Sequence, residues 1–164
     1  MRKATKEKKV RAVPIGIGIL VFIFAFACGV VSKFVIKPSW TKEYSVQMTD
    51  EIGRVYKDIS YGNGDANKFD LYVPAIEGKE SYGLVVYLHA GGFTSGDKAD
   101  NADILAWLCS KGYVSAGINY TLRTDDNDRS VYSQSIEIKE AVPKVVEEAE
   151  RLGYHIDSMA ISGG

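Results

Sequence analysis

The stretch that decides the fold is Tyr82-Gly-Leu-Val-Val-Tyr-Leu-His-Ala-Gly-Gly-Phe93. Its first seven residues form a continuous apolar run, which is typical of a strand that is buried on both faces. Two glycines, Gly91 and Gly92, follow closely, and they leave backbone N–H groups unscreened and let a substrate approach the main chain. The sequence therefore predicts a buried strand that ends in a turn suited to binding through main-chain amides.

A second apolar segment ends in glycines about 70 residues later. Met159-Ala-Ile-Ser162 has the composition of a buried strand, and Gly163 and Gly164 follow it directly. A Gly-Gly pair at this place also suits a flexible end or the start of a phosphate-binding loop. The phosphate-binding pattern, G-x-x-x-x-G-K-[ST], would extend past Gly164, so these residues alone do not separate the alternatives.

Strands and helices alternate through residues 53–164. The turn cluster Gly62-Asn-Gly-Asp65 predicts a hairpin between strands at 55–61 and 69–73, since Gly and Asn tolerate the positive φ of tight turns. The other predicted elements are a strand at 82–88, a helix at about 100–111, a strand at 113–119, a helix at about 133–152 and a strand at 159–162. Pro143 should kink the second helix or divide it. Apolar strands that alternate with helices indicate a mostly parallel sheet.

Charge and cysteine usage exclude several classes of function. Residues 1–36 contain seven Lys or Arg and one Glu, a net charge of +6, which leaves −7 for residues 37–164 out of the total of −1. An acidic globular part argues against nucleic-acid binding, which needs a concentrated basic face. Cys28 and Cys109 lie in unlike contexts and lack the spacing of a disulfide or zinc site. The acidic cluster at 125–128 is interpreted as a solvated loop, so no metal or cofactor is expected.

The N-terminus has the pattern of a membrane-targeting segment. A basic stretch, residues 1–11, precedes an uncharged run from Ala12 to Ser32, whose length matches the roughly 30 Å hydrocarbon core of a bilayer. We expect a cytoplasmic tail at 1–11, a transmembrane signal anchor at 12–36 and a linker at 37–52, with the domain at 53–164 outside the cytoplasm. Two alternatives stay open. Ala25-Phe-Ala27 resembles a signal-peptidase site, so the segment could be a cleaved signal peptide and the domain secreted. Cys28 after it resembles a lipoprotein site, so the domain could instead be lipid-anchored after cleavage.

Five segments together carry a family resemblance: Val85–Phe93, Gly96-Asp-Lys98, Gly112-Tyr-Val114, Ile118-Asn-Tyr120 and Ile161–Gly164. They resemble the hormone-sensitive-lipase-like branch of the α/β-hydrolases, which comprises carboxylesterases and deacetylases with an H-G-G-G-[WF] loop. The resemblance covers residues 53–164. It implies an incomplete α/β-hydrolase fold, in which an antiparallel hairpin leads into a mostly parallel sheet with flanking helices.

The same resemblance implies roles for five residues. The amides of Gly91 and Gly92 would line an oxyanion hole, and His89 would support their loop. Gly163 and Gly164 would supply the first two positions of the G-x-S-x-G nucleophile turn, so that the serine would be the next residue. The acid and the histidine of the triad would follow later in the chain. The expected protein is thus the N-terminal fragment of a membrane-anchored, extracytoplasmic serine hydrolase of carboxylic esters, and residues 1–164 alone are expected to lack esterase activity.

Two residues depart from the family pattern. Ala90 replaces the first glycine of the triplet, which we expect to be tolerated because the two assigned donors are the later glycines. Thr121 stands where the family usually has arginine, so a cation that fixes the loop is missing. Two other functions remain open: a non-catalytic, membrane-tethered binding module or pseudo-enzyme of the same or a flavodoxin-like fold, and a serine peptidase of the hydrolase fold.

Overall fold

The computed structural model describes residues 2–35, 46–76 and 79–164. The chain divides into two compact units, residues 1–42 and 43–164. In the first unit, helix α1 spans Arg2–Val35. Its segment Ile15–Ser32 is long and apolar enough to cross a membrane, and a signal sequence near an N-terminus has the same properties. Residues 37–45 of the predicted linker, residue 36 of the predicted anchor, and residues 77 and 78 between two predicted strands lie outside the described residues.

The second unit is built on a five-stranded mixed sheet. Its strands are β1 (Gly53–Ser60), β2 (Lys68–Pro74), β3 (Tyr82–Leu88), β4 (Val114–Ile118) and β5 (Ile156–Gly163). Their order across the sheet is β1-β2-β4-β3-β5. The first hairpin is antiparallel and β2 runs antiparallel to β4, whereas β3 is parallel to both of its neighbours. The predicted hairpin and the parallel strands that follow it are therefore confirmed.

Helices cover the two faces of the sheet. Helix α2 (Ala102–Ser110) follows a short 3-10 turn, Lys98–Asn101, and packs against Tyr72 with Leu105, Ala106 and Cys109. Helix α3 (Val131–Arg151) packs its buried stripe on the opposite face. That stripe consists of Ala141, Val145 and Ala149. Alternation of side chains along β2 supplies both cores, since neighbouring residues of a strand point to opposite faces.

Two expectations about burial were wrong, and one of the two alternatives for Pro143 is excluded. Only one face of β3 is fully buried, because α2 packs mainly against β2 and β4 and its core cluster takes only partly buried Tyr87 from β3. Strand β5 is exposed, with Met159 and Ile161 about half accessible, because it is an edge strand of the described sheet. Pro143 does not divide the second helix, because α3 continues through it as one segment. Pro143 is on the exposed side of the helix, where water can bind the carbonyl that loses its N–H partner.

Two smaller points concern the edges of the domain. Val46, Met48 and Ile52, which belong to the predicted linker, pack against the core cluster around Tyr72. Cys109 is fully buried, as expected of a small apolar side chain, and burial raises the pKa of its thiol to about 11. Cys28 and Cys109 are both free thiols.

Candidate functional site

The two glycine turns lie side by side at one end of the sheet. Strands β3 and β5 are parallel neighbours, and Leu88 is the register partner of Gly163. The amide of Gly164 donates to the Leu88 carbonyl at 3.3 Å, and a β-carbon on Gly164 would lie 3.5 Å from that of Ala90. A residue that follows Gly164 therefore starts next to the loop that leaves β3. The carboxyl ends of parallel strands are the usual location of ligand sites in α/β sheets.

The loop after β3 has an unusual backbone. Three successive residues have positive φ: Gly91 at 131°, Gly92 at 58° and Phe93 at 66°. Phe93 and Asp58 are the residues other than glycine with positive φ in the described part of the chain. Ala90 does not share this conformation, so the alanine in place of the family glycine meets no backbone conflict. Turns whose successive backbone N–H groups face the same side form concavities that bind anions.

Hydrogen bonds occupy the carbonyls of Gly91 and Phe93 and leave three amides of this loop free. The Gly91 carbonyl accepts from the amides and hydroxyls of Thr94 and Ser95 at 3.1–3.2 Å. The Phe93 carbonyl accepts from the amide of Arg123 at 3.0 Å and from the side chain of Gln134 at 2.9 Å. Within the described residues, the amides of residues 91–93 donate no hydrogen bond. These N–H groups are available to a ligand.

His89 supports the loop from below and is almost fully buried. Its ring stacks on Tyr120 with centroids 4.7 Å apart, and Nδ1 lies 3.0 Å from the Ala90 carbonyl. That contact is a hydrogen bond when the proton is on Nδ1. Gly96 closes against the same ring, since a β-carbon there would lie 2.4 Å from Nδ1. The packing therefore requires glycine at position 96, where φ is 103°.

Asn119 ties the following segment to the sheet. Its side-chain oxygen accepts from the Lys98 amide at 2.6 Å, and its side-chain nitrogen donates to Asp97 at 2.7 Å. Partial burial opposes ionisation of Asp97, but hydrogen bonds from the Ala99 amide and from Asn119 outweigh it and lower the pKa of this carboxyl. Asn119 immediately follows β4, so these two hydrogen bonds join the end of β4 to the Gly96-Asp-Lys98 segment.

Lys98 anchors this segment by a buried ion pair. Its ammonium lies 3.1 Å from Asp70 on β2 and 2.9 Å from Asp58 on β1. Lys98 and Asp70 are buried, whereas the side chain of Asp58 is 63% exposed. Burial disfavours the charged ammonium, but the two carboxylates outweigh it and raise the pKa of Lys98. A register shift in β1 and the positive φ of Asp58 bring this carboxylate to Lys98.

Helix α3 supplies two polar contacts that the sequence analysis missed. Gln134 is completely buried, and its side-chain nitrogen donates to the carbonyls of Phe93 and Thr121, both at 2.9 Å. Glu137, one turn later, accepts from the Thr121 amide at 2.7 Å and pairs with Arg129 at 3.2 Å. Thr121, which stands where the family has arginine, is therefore held by α3. A polar residue on the apolar stripe of α3 was the sequence signal for Gln134.

The described residues contain no group of three His, Cys, Asp or Glu side chains that could hold a metal ion. Asp125, Asp126 and Asp128 are exposed. His155 is exposed beside Glu150, 3.1 Å from its carboxylate, on the loop before β5. It directly precedes the first residue of β5, whereas Gly163 ends that strand.

A family comparison covers most of the domain. The BD-FAE family model matches residues 69–164, from β2 through the two glycine turns to Gly164. Among curated proteins, kynurenine formamidase of Salmo salar is 26% identical over 115 residues, which is 64% of this chain and 38% of that protein. This chain thus spans well under half of that relative.

Solved structures share the fold. Esterase B from Lactobacillus rhamnosis superimposes with a TM-score of 0.61 at 20% identity, over 89% of this chain and 44% of that one. Esterase 2 of Thermogutta terrifontis, in a form phosphorylated by paraoxon, gives 0.55 at 23% identity, over 68% of this chain and 43% of the other. At these identities the likeness concerns the fold: a mixed α/β sheet with flanking helices, as predicted.

Proposed function

Because the chain belongs to the BD-FAE family of α/β-hydrolases, we propose that the complete protein is a serine hydrolase that cleaves carboxylic esters. The observation that carries this proposal is the set of three free amides at residues 91–93 beside the end of β5. Acyl transfer builds negative charge on the carbonyl oxygen, and each fixed donor aimed at that oxygen is worth on the order of 100-fold in rate.

The proposed roles follow the geometry. The amides of Gly91 and Gly92 bind the developing oxyanion, and His89 holds their loop through Tyr120 and Ala90. Gly163 and Gly164 begin the nucleophile turn, and the serine is expected directly after them. That serine attacks the ester carbonyl while a histidine takes its proton and passes it to the departing alcohol, and water then releases the acid. We assign none of the serine, the histidine and its orienting acid among residues 1–164.

The first prediction concerns the complete protein. It should hydrolyse a short-chain p-nitrophenyl ester. A fluorophosphonate probe should label it, since the probe reacts with an activated serine. The remaining activity should fall in proportion to the fraction of enzyme that is still unlabelled. Replacing the serine of the G-x-S-x-G turn by alanine is the matched control, and it should abolish both signals. An untagged, purified protein that binds the ester without turnover or labelling would contradict the proposal and favour a pseudo-enzyme.

One relative favours a second substrate class. The similarity to a kynurenine formamidase suggests an aryl formamide in place of an ester, and the same oxyanion donors would serve either carbonyl. Measuring kcat/KM for p-nitrophenyl acetate and for N-formylkynurenine on one preparation separates the two. We expect the ester to be the better substrate.

We also propose that residues 12–36 anchor the protein in a membrane, with residues 1–11 in the cytoplasm and the domain outside. The support is the apolar span Ile15–Ser32 after a basic stretch, since Lys and Arg favour the cytoplasmic side. In bacterial spheroplasts, externally added protease should digest a C-terminal tag of the full-length protein, and the mass of the N-terminus should match uncleaved chain. Protection of the tag would refute this orientation, and a shortened N-terminus would show a cleaved signal.

A further inference from the structure

Gln134 joins helix α3 to the loop that carries the free amides. It lies in the first turn of α3 with no exposed surface, and its side-chain nitrogen donates to the Phe93 and Thr121 carbonyls. The side-chain oxygen has no hydrogen-bond partner among the described residues. A buried side-chain amide whose oxygen has no partner carries a desolvation penalty that an apolar side chain of the same size would avoid. Its two donor contacts therefore point to a specific task.

The contact to Phe93 falls on the most disfavoured backbone of the loop. Phe93 has φ of 66°, a conformation that side chains with a β-carbon rarely adopt, so the surrounding structure must hold it. Its carbonyl belongs to the same planar peptide as the Thr94 amide, which donates to Gly91. Fixing that peptide plane sets the turn at residues 91–94 and, with it, the direction of the free amides.

The two residues that Gln134 contacts differ in whether another residue of α3 also holds them. Thr121 is also held by Glu137, which accepts from its amide. Phe93 has a second donor in the Arg123 amide, but this amide lies on the loop after β4. In the described part of α3, Gln134 is the residue that donates a hydrogen bond to the loop at 89–96. The hydrogen bond from α3 to this loop is thus made by one side chain.

From these contacts we propose that Gln134 is a positioning residue for the oxyanion hole, holding the peptide after Phe93 so that the amides of residues 91–93 face the reacting carbonyl. The inference rests on the proposed hydrolase function. It concerns the geometry of the transition state, since the amides bind the oxyanion more strongly than the ground-state carbonyl. Loss of the side-chain donor should therefore lower kcat and leave KM nearly unchanged.

Gln134→Met in the complete protein is the main test, because methionine fills a similar volume without a donor. We expect kcat for a p-nitrophenyl ester to fall about 10- to 100-fold, as for a misplaced or lost oxyanion donor, with KM within about twofold. Affinity for a trifluoromethyl ketone, whose serine adduct carries an oxyanion, should fall by the same factor. Val145→Ala, a buried change on the same helix, is the control that lowers stability and keeps kcat.

Gln134→Glu adds a readout that a purely structural role would not produce. A protonated carboxyl can donate one hydrogen bond to the Phe93 carbonyl, whereas the carboxylate cannot donate. Burial disfavours the carboxylate. The ratio of kcat for Gln134→Glu to kcat for the wild type should therefore increase as the pH is lowered from 8 to 5. A flat ratio, or an unchanged kcat in Gln134→Met, would overturn the positioning role.

A measurement without turnover separates this inference from the proposed function. Hydrogen exchange of the peptide covering residues 89–95 should be faster in Gln134→Met than in the wild type and in Val145→Ala. If the wild type has no hydrolase activity and no fluorophosphonate labelling, the proposed function fails. Faster exchange would then still show that Gln134 holds the loop, whereas unchanged exchange would refute the inference.

Discussion

Replacing Gly91 by alanine in the complete protein is expected to lower kcat/KM for a p-nitrophenyl ester by about 100-fold or more, the loss that follows removal of an oxyanion donor. A β-carbon on Gly91 would lie 2.0 Å from the Ser95 carbonyl oxygen and 2.5 Å from its carbon. These are backbone atoms of the same tight turn, so they cannot move aside without opening it. The φ of 131° adds strain for any side chain.

Gly92→Ala is the matched control for that prediction. Gly92 also has positive φ, but a β-carbon there would meet no atom within 4 Å. The expected cost is about 1–2 kcal/mol of backbone strain, with the turn preserved. Steady-state kinetics of both variants should show the larger loss of kcat/KM in Gly91→Ala, and circular dichroism should show that both variants are folded. Wild-type activity in Gly91→Ala, or a larger loss in Gly92→Ala, would show that the turn does not need the conformation described for it.

The parts of the fold that the sequence predicted depend on local signals. Apolar runs followed by glycines indicate where strands end, and the Gly62–Asp65 cluster indicates the hairpin. Once β3 and β5 are expected to be parallel, their carboxyl ends must share one edge of the sheet, which places Gly92 and Gly164 at that edge. Whether their amides bind an oxyanion remains a prediction.

The parts that could not be predicted depend on contacts between distant residues. The positive φ of Phe93 is supported by Arg123 and Gln134, and the conformation of Asp58 by Asp70, whose carboxylate accepts from its amide at 2.9 Å. No local sequence pattern predicts these hydrogen bonds between residues that are distant in the sequence. Gln134 was the partial exception, because it occupies the stripe that continues through Ala141 and Val145 at helical spacing.

Lys98 leads to the largest expected effect on stability. Lys98→Met should lower the free energy of unfolding by about 3–5 kcal/mol, the usual cost of removing one partner of a buried ion pair. Asp70 would then be a buried carboxylate without a cation, since Lys98 is 3.1 Å away and Asp70 is 3% exposed. Urea unfolding of the complete protein, followed by tryptophan fluorescence, gives the difference.

Two further variants decide whether the uncompensated charge of Asp70 causes that loss. The double variant Asp70→Asn/Lys98→Met removes the charge and should recover part of the stability, whereas Asp58→Asn should have a small effect because that side chain is 63% exposed.

The unfolding free energies of these variants should be compared between pH 5 and 9, where Lys98 and Asp58 keep their charges. The raised pKa of Lys98 keeps its contribution present below about pH 10.5, to be lost as the pH rises through the folded value. The hydrogen bond and charge of Lys98 lower the pKa of Asp58, so its contribution is lost only as the pH falls below about 3.8. If the double variant is no more stable than Lys98→Met, the loss comes from the packing of the lysine side chain, and the buried charge of Asp70 is not its cause.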